Sequence, residues 1–126
     1  MDEPRIFKTR WFRRFARKER IEDGTLLDAV ACAERGQVDA DLGGGVIKQR
    51  IAGSGQGKSG GYRTIIVFRR GERAVFVYGF AKNERENIRA DEEKEFKESA
   101  RYILGLTDRQ LEELVKRGDL VEVKGT

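Results

Sequence analysis

Tyr62-Arg63-Thr64-Ile65-Ile66-Val67-Phe68 and, after a short interval, Ala74-Val75-Phe76-Val77-Tyr78-Gly79-Phe80 are the two stretches that decide how this chain folds. Both are rich in β-branched and aromatic side chains, which suit a pleated, buried surface. Arg70-Gly71-Glu72 between them supplies the turn, so the pair predicts an antiparallel hairpin. Just upstream, Val46-Ile47-Lys48-Gln49-Arg50-Ile51 alternates well enough for a third strand. Side chains on a strand point alternately to its two faces. Lys48 and Arg50 therefore share one face, and Ile47, Gln49 and Ile51 share the other.

Working outward, residues 5–11 read as a first strand with Phe7, Thr9 and Trp11 on one side. A short helical turn is expected through Phe12, Phe15 and Ala16. Residues 25–35 have the pattern of an amphipathic helix, with Leu26, Leu27, Val30 and Ala31 as its stripe and Gly36 as its stop. Asp39 to Gly45 reads as a polar, glycine-rich connection. A helix from about Arg89 to Leu104 would bury Phe96, Ala100 and Ile103, and its first turn holds Asp91, Glu92 and Glu93, where acids complement the helix dipole. Thr107-Asp108-Arg109-Gln110 has capping-box spacing and opens a last helix to about Arg117, before a short strand at Leu120 to Val123. The order predicts an α+β fold, a mostly antiparallel twisted sheet with helices packed on one face. Residues 1–126 form a single domain in this reading, with 106–126 a helix-strand extension. Leu111, Leu114 and Val115 of that extension are read as a last core layer, the alternative being a partner surface.

The chain has 126 residues, no histidine and one cysteine. Without histidine, His-based acid/base chemistry, Ser-His and Cys-His nucleophiles and His-ligated zinc are excluded, which leaves Lys, Arg, Tyr, Asp and Glu for any catalysis. Cys32 has no internal disulfide partner, fits a reducing compartment, and reads as a small buried apolar residue. Met1 to Lys8 lacks the apolar stretch of a signal peptide, and no apolar run reaches the length of a membrane span. A cytoplasmic location without membrane association is expected. Net charge is +4, but it is sorted into blocks: +5 over residues 1–20, −5 over 21–44, +7 over 45–89 and −3 over 90–126. A +7 block with this strand content draws polyanions, although charged strand faces also serve plain solvation.

Ala52-Gly53-Ser54-Gly55-Gln56-Gly57-Lys58-Ser59 imitates a nucleotide phosphate loop. Such a loop must run into a helix whose amides hold the phosphates, whereas here a strand follows. It reads instead as a hairpin loop, or as a basic loop that touches a nucleic-acid backbone through Lys58.

Four pieces in order then carry a resemblance. Gly45 to Ile51, Lys58-Ser59-Gly60-Gly61-Tyr62-Arg63-Thr64-Ile65-Ile66, Val75 to Phe80, and Lys82-Asn83-Glu84-Arg85 resemble the RelE superfamily of bacterial toxins, closest to its HigB-like branch. The likeness covers about residues 5–104, and Gly60 through Arg85 is its most specific part. It implies an antiparallel sheet with a concave basic face opposite its helices, and cleavage of messenger RNA, usually in the ribosomal A site, with no metal or other cofactor. It also implies a cognate antitoxin, a helix-turn-helix, HigA-like protein. A fold relative that binds without cleaving, such as a ParE-like gyrase inhibitor, is the alternative reading. An unrelated basic interaction protein is a third.

Metal-free RNA cleavage needs a base for the 2′-hydroxyl, positive charge on the phosphate and a donor for the leaving 5′-oxygen. Arg63 is the first candidate, as a bidentate phosphate clamp. Lys48 is the candidate base, on the condition that crowding by other cations favours its neutral amine. Lys82 would supply charge or a proton to the leaving oxygen. Arg50, Lys58, Tyr62 and Arg85 are candidate RNA contacts. Blander roles stand beside these: Lys48 and Arg50 as a solvated strand face, Arg63 in an ion pair with a helix acid, Tyr62 and Tyr78 in core packing, and Trp11 in the core. Two departures from the better-known toxins, Asn83 in place of an arginine and Arg89 in place of a tyrosine, bear on the acid/base assignment.

Overall fold

A computed structural model describes residues 3–53 and 61–125. Among these the chain forms β1 (Arg5–Thr9), α1 (Arg10–Glu19), α2 (Asp23–Glu34), β2 (Ala40–Gly43), β3 (Val46–Ile51), β4 (Tyr62–Arg69), β5 (Arg73–Ala81), α3 (Ala90–Leu104), α4 (Asp108–Lys116) and β6 (Leu120–Val123). The strands make one sheet in the order β2-β3-β4-β5-β1-β6. Neighbours are antiparallel except β1 and β5, which run parallel. The α+β class and the mostly antiparallel sheet agree with the sequence. Most of the glycine-rich segment, including Lys58, lies outside the described residues.

Element boundaries moved where local hydrogen bonding overrode strand patterning. The first strand ends at Thr9, not at residue 11, because the Thr9 hydroxyl accepts from the Phe12 N–H at 3.2 Å and caps a helix. What read as one helical turn is the ten-residue α1. Trp11 consequently sits on a helix, with 40% of its surface exposed, and is not a core residue. In α2 the buried stripe is Leu26, Ala29, Val30 and Ala33, so Ala31 faces solvent. Cys32 is half-buried where full burial was expected. The connection from Asp39 to Gly45 contains the edge strand β2, which reverses into β3 through Gly43, Gly44 and Gly45, all at positive φ. The Thr107–Gln110 capping box forms as read.

Helices were expected on one face of the sheet, and α1 and α2 do cover one face. They bury Phe12, Ala16, Leu26 and Val30 against Ile47, Ile51, Ile66 and Phe76. The other face also carries helices over part of its area. Ala100 and Ile103 of α3 and Leu111 of α4 pack on Phe7, Val46, Ile65, Val67 and Val75. The reason is visible in β4, where consecutive Ile65, Ile66 and Val67 are all fully buried, so both faces demand cover. α3 settles close to the sheet: a Cβ on Gly45 would lie 2.5 Å from a Leu104 methyl. β6, from the segment expected to be an extension, is a member of the same sheet and pairs with β1.

Two polar side chains, Gln49 and Thr64, are deeply buried on the α1/α2 face, and Gln49 makes the longer-range bonds. Gln49 donates from Nε2 to the carbonyls of Ala29 (3.1 Å) and Gln37 (2.9 Å), and its Oε1 accepts from the Asp39 N–H at 3.1 Å. It thereby ties α2 and the following connection to β3, between Ile47 and Ile51 on the same face of the strand. Replacing it by leucine strands these backbone groups, so Gln49→Leu is expected to destabilise the fold by about 1–3 kcal/mol in urea unfolding. A change within error would mean that the network contributes no net stability.

Candidate functional site

The register of β3 against β4 assembles the site. Arg50 lies opposite Arg63, and Lys48 lies opposite Ile65. All belong to the face that carries α3, as the alternation of Val46, Lys48 and Arg50 requires. Arg63 is in turn opposite Phe80, and Ile65 opposite Tyr78, on β5. The apolar end of this face, at Val46, Val67 and Val75, is under α3, and the cationic end follows directly along the same strands. Lys48 donates to the Asn87 side-chain oxygen at 3.2 Å, in the segment leading into α3. Among the described residues no carboxylate pairs with Lys48, Arg50 or Arg63. The ion pair between Arg63 and a helix acid is therefore not formed. Like charges directly opposite on a sheet repel, so the Arg50–Arg63 pair works against stability.

The remaining candidates are placed differently. Lys82 is exposed in the turn that follows β5, its backbone N–H bonded to the Gly61 carbonyl at 3.2 Å, which puts it at the cationic end of the sheet. Tyr62 lies on the opposite face. Its hydroxyl donates to Glu19 of α1 at 2.7 Å and its ring meets Phe15 edge-on at 5.7 Å. Burial, with the Glu19 carboxylate second, pushes the Tyr62 phenol up to about 12. Arg85 is engaged from several sides: its guanidinium bonds Glu92 at 2.5 and 3.2 Å, the Tyr78 hydroxyl at 2.9 Å and the Asn87 carbonyl at 3.1 Å. It also lies over the rings of Phe80 (5.4 Å) and Tyr78 (5.9 Å). Arg89, at the position where a tyrosine was looked for, caps α3 and pairs with Asp91 at 3.1 Å. Asn83 is exposed in the same turn as Lys82.

Of the supporting residues Asn87, Tyr78 and Glu92, sequence reasoning placed Tyr78 in core packing and Glu92 at the helix dipole, and gave Asn87 no role. Glu92 accepts from the Arg89 backbone N–H at 2.8 Å while holding Arg85, so it fixes the loop after β5 to the start of α3. Its signal was present as an acid three residues into a helix. The second bond, to Arg85, depends on tertiary placement.

The Arg85 hydrogen bonds, and then the Arg89 backbone N–H, hold the Glu92 carboxyl down to about 2 from its ordinary 4.5. A depressed folded-state value means that this contribution to stability is complete above about pH 4.5 and lost as pH falls toward 2. Glu92→Gln is therefore expected to lower Tm at neutral pH and to make its decline between those pH values shallower than in the native chain. Parallel pH profiles of Tm for the two proteins would contradict the pairing.

Compared with known protein families, residues 4–123 match the model described as the RelE toxin of the RelE / RelB toxin-antitoxin system. No curated protein matches the chain closely enough to count as a relative. The family match spans nearly the whole sequence, from β1 through β6, and includes every strand that presents a cation at the site. The chain belongs to the RelE toxin family, and is the toxin component of a toxin–antitoxin pair.

Proposed function

We propose that this toxin is a metal-independent endoribonuclease that cleaves messenger RNA, in the ribosomal A site, and so halts translation in the cytoplasm. The observation that carries the reading is the group Lys48, Arg50 and Arg63. These cations converge on one face, two of them directly opposed, with no described carboxylate to neutralise them. An arrangement that costs stability and attracts phosphate is what a polyanion-binding site requires.

In this mechanism the RNA 2′-oxygen attacks the adjacent phosphorus and the P–O5′ bond breaks, leaving a 2′,3′-cyclic phosphate and a free 5′-hydroxyl. Lys48 takes the 2′-hydroxyl proton, held toward the strand by Asn87. Arg63 donates to the non-bridging oxygens as charge builds on them, with Arg50 beside it. Lys82 stands at the loop where the 5′-oxygen leaves and delivers the proton it needs. Arg85 acts indirectly, by fixing that loop and the rings of Tyr78 and Phe80 beneath it. Lys58 contributes a backbone contact from the glycine-rich segment. Tyr62, committed to Glu19 on the far face, has no part in the chemistry. The partner that silences the toxin is a helix-turn-helix, HigA-like antitoxin, whose acidic side chains cover part of the basic face.

The test is induction of the native chain and of Arg63→Ala in bacteria, with mRNA 5′ ends mapped within minutes. The native chain is expected to arrest growth and produce new ends phased with codons. Arg63→Ala is expected to lower cleavage by about 10²–10³-fold while remaining folded. Growth arrest with intact mRNA would reject RNA cleavage and direct attention to DNA gyrase.

A further inference from the structure

The proposed chemistry leaves unused a second cationic surface, on α1. Its sequence, Arg10-Trp11-Phe12-Arg13-Arg14-Phe15-Ala16-Arg17-Lys18-Glu19, contains five cations and one acid. No acid stands in its first turn, where the helix dipole would favour one. Arg10 is held by Asp119 at 2.9 Å. Among the described residues no ion pair engages Arg13, Arg14, Arg17 or Lys18, and all four are exposed.

Trp11, Arg14 and Lys18 recur at three and four residues and so lie along one side of the helix. They line a cleft of about 540 Å³ with Tyr78, Phe80 and Arg85. The cleft exists because β1 stops at Thr9 while β5 continues to Ala81, leaving the last residues of β5 paired with β4 but without a strand on their β1 side. Phe15 packs so closely over Gly79 there that a Cβ would approach its ring to 2.6 Å. Trp11 in turn stacks on Phe15 (centroids 5.4 Å apart, planes at 17°) and lies 4.6 Å from the Tyr78 ring. A large aromatic side chain is thus held in one orientation while 40% of it stays open to solvent. Two acids also line the cleft. Glu19 is occupied by the Tyr62 hydroxyl, and Glu84 is exposed at the rim.

This cleft is continuous with the cation group. From Arg63 the path runs to its cross-strand neighbour Phe80, then to Tyr78 at 6.1 Å and to Trp11 at 4.6 Å. Single-stranded nucleic acid is gripped by this combination, an aromatic surface for a base and cations tracking the backbone beside it. We propose that Trp11, Arg14 and Lys18 form a second RNA subsite: Trp11 stacks one base of the strand whose phosphate lies at Arg63, and Arg14 and Lys18 hold flanking phosphates. The subsite rests on the RNA-cleaving reading of the neighbouring cations. It extends that reading by adding a position at which base identity, through stacking strength, influences where the strand seats.

Trp11 is the sole tryptophan of the chain, so intrinsic fluorescence reports the subsite directly. The probe is a single-stranded oligoribonucleotide of about eight nucleotides, 2′-O-methylated so that it binds but has no 2′-hydroxyl to react. Its addition to the native toxin is expected to quench Trp11. Trp11→Ala should weaken binding, measured by anisotropy of an end-labelled probe, about 5- to 150-fold, and Trp11→Phe should recover most of the loss. The double variant Arg14→Ala, Lys18→Ala removes only exposed side chains and so leaves the fold intact. It should reduce the slope of log affinity against log salt by about 1.4. Probe binding without change in Trp11 fluorescence, and with Trp11→Ala equal to native, would overturn the subsite. Arg63→Ala separates the two ideas: cleavage lost with quenching retained supports both, whereas cleavage retained with quenching retained removes the role of Arg63 and keeps the subsite.

Discussion

Everything at the cationic face depends on the register between β3 and β4. The six residue pairs from Val46↔Val67 to Ile51↔Tyr62 place Lys48, Arg50 and Arg63 on one side and Gln49, Ile51 and Tyr62 on the other. A slip of one residue would invert every side chain of one strand, burying cations beneath α2 and exposing Ile47 and Ile51. The register is therefore held by both faces at once. The apolar residues must meet α1 and α2, and Gln49 must reach the carbonyls of Ala29 and Gln37. Thr64 adds a bond from its hydroxyl to the Gln49 carbonyl at 2.8 Å, locking the two strands at their buried midpoint.

The same sheet divides its second face lengthwise. At one end Val46, Val67 and Val75 are capped by the apolar side of α3 and by α4. At the other end the helix begins with Asp91, Glu92 and Glu93, and its acids are engaged with arginines of the approach: Glu92 with Arg85 and Asp91 with Arg89. These pairs neutralise the cations nearest the helix and leave those on β3 and β4 unneutralised. Arg85 and Arg63 are close in sequence type and in charge, but they occupy different electrostatic surroundings. Arg85 is engaged by a carboxylate, and Arg63 is not, among the described residues.

Most of the sheet was legible because strand patterning is a local property. Lys48 and Arg50 were assigned to one face from a six-residue alternation, and the hairpin from β-branched runs about a short turn. The N-terminal segment was misread because Phe7, Thr9 and Trp11 satisfy a two-residue period, while the Thr9 hydroxyl, invisible to that period, starts a helix. Helices on the second face were missed for a different reason. The clue was the unbroken run Ile65-Ile66-Val67, which asks for cover on both sides, but it reads equally as one strong strand. At the site, the common face of the β3 and β4 cations followed from alternation. The commitments of Tyr62 to Glu19 and of Arg85 to Glu92 did not, since each joins residues whose pairing only the folded chain brings about.

The position of β1 has a consequence for biosynthesis. This strand, the first to be made, sits between β5 and β6, and its outer neighbour is Leu120–Val123, the last strand of the sheet. β2 to β5 form a run of antiparallel neighbours adjacent in sequence, so their pairings are local and carry little entropic cost. β1 instead makes a parallel pairing across more than sixty residues and an antiparallel one across more than a hundred, Lys8 with Phe76 and with Val121. The cation-bearing meander can thus form during elongation, whereas β1, from which the helix that carries Trp11 departs, gains its outer neighbour only when β6 is made. A nascent chain would hold the cation-bearing strands before it held a finished domain, and the interval between the two is set by the time taken to translate the C-terminal third.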